Sequence, residues 1–111
     1  MAGKFEIYKS DKNNEFYFRL KAANGQVVLA SQGYKEKAGA KNGIESVKKN
    51  SQDNNRFKRL EAKNGKPYFN LTASNGQIIG NSEMYESTSS RDNGIASVAK
   101  NAPDAKISDL T

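Results

Sequence analysis

The 111-residue chain has no cysteine, no histidine and no tryptophan. The first two absences remove disulfides, Cys/His zinc sites, thiol nucleophiles and histidine general bases, and with them most hydrolase constellations. No catalytic residue, metal site or cofactor is assigned from the sequence, and the chain is read as a non-enzyme. Long apolar runs are missing too: the longest is Val27 to Ala30, against the ~20 residues that a membrane-spanning helix needs. The opening MAGKFEIYKS lacks the apolar stretch of a secretory signal. Cytoplasmic residence without a membrane partner is the expectation.

Strongly apolar residues are scarce, with Leu, Ile, Val and Phe numbering 20 of 111, a share near which charged chains stop folding. Against disorder stand five Tyr and five Phe, placed in short alternating segments as in a half-buried sheet. A folded chain with a thin core follows, of the size of one domain. Its charge of +6 is uneven: residues 1–66 carry 15 Lys and Arg against 7 Asp and Glu, whereas residues 67–111 carry 3 against 5. A basic half either steers polyanions and acidic proteins toward the chain or serves only solubility.

Internal duplication organises what is present. A shift of 51 positions lays YFRLKAANGQVVLASQGY (17–34) over YFNLTASNGQIIGNSEMY (68–85), and NGIESVKKN (42–50) over NGIASVAKN (93–101), so that 16 of the 34 positions from 17 to 50 are identical. With one deletion in a turn, KFEIY (4–8) lies over RFKRL (56–60). Two copies are too few for a solenoid and point to an internal pseudo-twofold.

Asn24-Gly25 and Asn75-Gly76 predict hairpins with two-residue type I′ turns. Asn64-Gly65 and Asp11 to Asn14 punctuate the remaining strands, and Pro67 fits the first position of its strand. This turn type pairs Leu20 with Leu29, Ala22 with Val27, Leu71 with Gly80 and Ala73 with Ile78. The core face is then Phe18, Leu20, Val27 and Leu29, repeated by Phe69, Leu71 and Ile78. The open face carries Tyr17, Arg19, Lys21 and Val28, and in the second copy Tyr68, Asn70, Thr72 and Ile79.

Segments 36–50 and 86–101 read as helices, with Ala40, Ile44 and Val47, and likewise Ile95 and Val98, on one side. Ser87 or Ser89 can cap the second. Gly43 and Gly94 each cost about 1 kcal/mol inside a helix; a close approach to the sheet explains them, or else Asn-Gly marks a helix break. Strands at 56–61 and 106–110 complete the reading. The fold class is α+β: two tandem βββα units, 1–55 and 56–111, plus a C-terminal strand. They form one domain with a largely antiparallel sheet and both helices on one face.

The aromatic strand, AANGQVV (22–28), Tyr34 or Tyr85 before the helix, NGI-x-SV and the closing DLT together resemble the YegP-like family of small bacterial proteins, over essentially the whole chain. The resemblance implies repeated β(3)-α-β units in one sheet, with the last strand of one unit exchanged onto the other. It implies no activity and no binding residue. It also implies a monomer acting as an internal pseudo-dimer. In one departure, strand 56–61 is expected to serve both as the end of unit one and as the start of unit two.

Two surfaces are candidates for binding. On the open sheet face, Tyr17, Arg19 and Lys21, with Tyr68 in the second copy, interleave aromatic and basic groups as single-strand nucleic-acid platforms do; the bland alternative is cross-strand packing. On the helices, Asn42, Ser46 and Lys49, repeated as Asn93, Ser97 and Lys100, form a polar stripe opposite the apolar side; the alternative is a solvated face with local backbone bonds. Tyr34 and Tyr85 are read as hydrophobic staples at the helix entries. The acids Glu83, Glu86 and Asp92 cluster only in the second copy. The favoured reading is a small non-enzymatic accessory or protein-interaction module, and the alternative is a nucleic-acid binder using the basic face of the first repeat.

Overall fold

Alternating segments become strands and helical-period segments become helices in a computed structural model that describes residues 3–111. The elements are β1 (Lys4–Lys9), β2 (Phe16–Lys21), β3 (Val27–Ala30), α1 (Lys37–Asn50), β4 (Phe57–Glu61), β5 (Pro67–Thr72), β6 (Ile78–Asn81), α2 (Thr88–Asn101) and β7 (Lys106–Asp109). They build one seven-stranded sheet in the order β4-β5-β6-β3-β2-β1-β7. All neighbours are antiparallel except β7, which runs parallel to β1. The repeats meet at the centre through Ala30 opposite Asn81, and β7 crosses from the second repeat to flank the first, which is the exchange.

The core lies between the sheet and the helices. Phe5, Phe18, Leu20, Leu29, Phe57, Phe69 and Leu71 of the sheet form one continuous cluster with Ala40, Ile44, Val47, Ile95 and Val98 of the helices, and the helices reach across the repeats, α1 to β6 and α2 to β3. Each fully buried Leu or Phe contributes roughly 1.5–3 kcal/mol. Each unit builds the same aromatic trio. Phe5 meets Phe18 edge-on at 5.9 Å and Tyr34 stacks on Phe18 at 6.2 Å; Phe57, Phe69 and Tyr85 repeat this at 5.7 and 6.3 Å. The tyrosines expected as staples thus bridge sheet and helix, and the helical glycines make room for them. A Cβ on Gly43 would lie 2.6 Å from Tyr34 Oη and 2.7 Å from Phe18 Cε2, and one on Gly94 would lie 2.3 Å from Tyr85 Oη. Both helices run unbroken through these glycines. Ser87 Oγ caps α2 by accepting from Ser90 N–H.

Three details differ from the sequence reading. First, the Asn-Gly hairpins are not type I′. Gly25 and Gly76 have φ of 87° and 86°, but Asn24 and Asn75 do not share the positive φ. Gly25 N–H bonds Ala22 O while Ala22 N–H bonds Gln26 O, and residues 73–77 repeat the pattern. These are three-residue turns ending in a glycine bulge. Asn24 Oδ1 holds the turn by accepting from Gln26 N–H at 3.1 Å, which supplies the reason for asparagine.

Second, the register shifts beyond Leu20 and Leu71, where Val28 and Ile79 are the extra residues. Leu20 still faces Leu29 and Leu71 faces Gly80, but Val27 now faces Lys21 and Ile78 faces Thr72, in place of Ala22 and Ala73. Val28 and Ile79, expected on the open face, are buried, whereas Val27 is half-buried and Ile78 is exposed. Third, β4 serves only as the first strand of unit two. The 3-10 turn Asn54–Arg56 leads straight into it, so unit one supplies no counterpart of β7.

Candidate functional site

On the outward face of the first repeat, strand pairing sets Glu6 opposite Arg19 and Tyr8 opposite Tyr17. Glu6 is 5% exposed and accepts from Arg19 Nε at 2.7 Å, with Lys21 Nζ at 3.2 Å and Lys4 Nζ at 3.4 Å. The hydrogen bond from Arg19, acting with Lys21 against the cost of burial, lowers the Glu6 carboxyl to about 2. Arg19 also lies 4.7 Å above the Tyr8 ring, which stacks on Tyr17 at 5.7 Å. Tyr17 Oη accepts from Asn13 Nδ2. Arg19 and Lys21 are therefore brought together around a carboxylate that sequence reasoning missed, and Tyr17 adjoins them through Tyr8. Tyr68 lies on β5, three strand spacings away, roughly 14 Å, and does not join them.

The two helical stripes stay on separate helices. Ser46 and Ser97 have a local structural role: the buried Asn50 and Asn101 side chains each donate to the serine carbonyl and Oγ four residues back, at 2.8–3.1 Å. Asn42, Lys49, Asn93 and Lys100 are exposed. In the second copy Asn93, Ser97 and Lys100 line a cleft of about 390 Å³ between α2 and the Ala22–Asn24 turn. Two of the three clustered acids are engaged with cations, Glu86 with Lys66 at 2.9 Å and Asp92 with both Arg59 and Arg91 at 3.2 Å. Burial raises the phenols of Tyr34 and Tyr85.

A further site lies at the sheet edge. On β1, Leu110 N–H bonds Ile7 O, Ile107 lies level with Phe5 and Asp109 with Ile7; Asp109 pairs with Lys37 at the start of α1. Core alignment makes Phe57 and Arg59 the counterparts of Phe5 and Ile7, because Phe5 faces Leu20 as Phe57 faces Leu71. Among the described residues nothing pairs with the outer edge of β4. Ala62 N–H bonds Lys66 O, which marks 62 and 66 as a hydrogen-bonded pair. Narrow and wide pairs alternate in an antiparallel ladder, so the backbone polar groups of Arg59 and Glu61 point away from β5. Beside them is a cavity of about 280 Å³ whose lining is mixed: Phe57, Ile95, Ala96 and Ala99 on the apolar side, and Ser51, Gln52, Asn54, Arg59 and Asp92 on the polar one.

Comparison with known proteins matches the chain to the model described as "Domain of unknown function (DUF1508)" twice, over residues 11–57 and 62–109. The chain belongs to this family. It is 56% identical over 107 residues to the "UPF0339 protein in ptx operon 5′region" of Stutzerimonas stutzeri, covering 96% of each chain. It is 50% identical over 111 residues to the "UPF0339 protein YegP" of Escherichia coli, covering all of both. The solution NMR structure of the Shewanella oneidensis UPF0339 protein superposes with a TM-score of 0.93 at 55% identity, covering all of this chain and 93% of that one. That of E. coli yegP, described as a protein of unknown function, gives 0.94 at 49%, covering 100% and 95%. The tandem DUF1508 architecture is thereby shown, and these relatives carry no assigned activity. Among the described residues no helix is long and apolar enough to cross a membrane.

Proposed function

We propose that this DUF1508 protein is a non-enzymatic, cytoplasmic protein-interaction module whose docking element is the bare outer edge of β4. The observation that carries this reading is the inequality of two equivalent edges. The edge of β1 is filled by β7, while the matching edge of β4 presents free backbone groups next to a cavity lined by Phe57, Ile95, Ala96 and Ala99. An extended segment added to such an edge gains main-chain hydrogen bonds, and pockets beside the edge select its side chains. The engagement of Glu6, Glu86, Asp92 and Asp109 in ion pairs supports a non-catalytic role.

Selection from displayed random extended peptides tests it, with wild type compared with Arg59→Pro. Proline removes an outward N–H that β5 does not use, and an edge strand tolerates it there. Wild type is expected to enrich binders that Arg59→Pro loses. Failure to enrich any, or equal binding by the variant, removes the edge as the docking element.

One observation favours a second reading. Lys4, Arg19 and Lys21 share the single carboxylate Glu6, and Lys106 lies level with Lys4, which leaves an excess of positive charge on this face for a polyanion. Binding of a single-stranded oligonucleotide should then fall steeply as salt rises; a salt-independent signal, or none at low salt, sinks this reading.

A further inference from the structure

We infer that the β4 edge recognises an extended segment of the pattern apolar, any residue, acidic, supplied by a partner protein and running parallel to β4. The inference rests on the docking reading above and names its ligand. The protein itself holds the template, because β7 occupies the equivalent place in unit one. There Ile107 sits level with Phe5 and Asp109 level with Ile7. Transposed to unit two, the apolar residue falls beside Phe57, over the cavity that Ile95, Ala96 and Ala99 line. The acidic residue falls beside Arg59.

The charges at that end of the slot fit an incoming carboxylate. Arg59 and Arg91 share Asp92 as their ion-pair partner among the described residues, both at 3.2 Å, so each has capacity left for a further carboxylate. The counterpart of Arg59 in unit one is the fully buried Ile7. There the strand's acid turns instead to Lys37 on the helix, whose counterpart in unit two is the uncharged Thr88. The cation has thus moved from the helix to the edge strand itself. A second copy of the chain is the less favoured occupant, because its β7 already lies against its own β1.

The test is titration of the isotope-labelled full chain with a peptide of residues 106–111, followed by backbone amide spectra. Saturable shifts at Arg59, Glu61, Ile95 and Ala99 are expected. Replacing the peptide's Asp109 by Lys should weaken binding roughly twofold to fivefold, the range for a partly exposed ion pair. Arg59→Glu in the chain should reverse that preference. Shifts confined to β1, or concentration-dependent self-association without peptide, overturn the inference. Edge binding that is indifferent to the acid and to Arg59→Glu overturns the acidic rule and leaves strand docking intact. Absence of edge shifts at millimolar peptide overturns the apolar-acidic ligand, while the random-peptide selection separately decides whether the edge docks anything.

Discussion

The outward faces of the two repeats are built on strands paired in the equivalent register, yet they hold different chemistry. Glu6, Tyr8, Arg19 and Lys21 in the first become Lys58, Leu60, Asn70 and Thr72 in the second. A buried carboxylate left without its cations is strongly destabilising, so these positions exchange as a set. Many inward positions behave otherwise: Phe18, Leu20, Ile44 and Val47 recur as Phe69, Leu71, Ile95 and Val98, all members of the buried core. The rule has exceptions on the inward side, where the buried Ile7 and Leu29 become Arg59 and Gly80.

The largest break in this comparison is expected from Glu6→Gln. It leaves Lys4, Arg19 and Lys21 facing one another and should cost on the order of 3 kcal/mol, measured by urea unfolding. Because the folded carboxyl lies near 2, below its ordinary value of 4.5, its contribution is complete above about pH 4.5 and is lost as pH falls toward 2. The variant should accordingly lose less stability over that interval than wild type; an equal loss would show that Glu6 is not the group that titrates.

Gly43→Ala comes next, at about 1–2 kcal/mol net, since the helix gain from alanine is outweighed by collision with the buried Phe18 ring. Gly94→Ala should cost less, because a Cβ there meets chiefly the hydroxyl end of Tyr85, with Phe69 at 3.3 Å. Equal thermal shifts would deny the asymmetry. Ser46→Ala and Ser97→Ala should each cost about 0.5–1 kcal/mol and match one another, as both remove one hydrogen bond to a buried asparagine. Lys58→Gln, at the position equivalent to Glu6, should change stability by less than about 0.5 kcal/mol.

Most of the architecture was legible because it rests on local rules: alternation, helical spacing, Asn-Gly turns and the strength of the repeat. The bulge was not, because Asn-Gly suits both a type I′ turn and a turn ending in a left-handed glycine. Only the asparagine's own φ separates them, and with it the burial of Val28 against Val27. The Glu6 hub was hidden for another reason: it joins β1 to β2 across the sheet, in the strand where the copies differ most. Arg59 and Asp92 are 33 positions apart, and no periodicity connects them. The bare edge was half visible, in the short passage from Asn50 to Phe57. The sequence predicts two roles for the strand that follows it, whereas β4 has a single one.

The parallel pairing of β1 with β7 also has a temporal side. Strand β1 is made well before the neighbour that covers it, which lies about a hundred positions later in the chain. Closing so long a loop is slow compared with forming a hairpin. The first repeat, although made earliest, is therefore the one whose sheet is finished last.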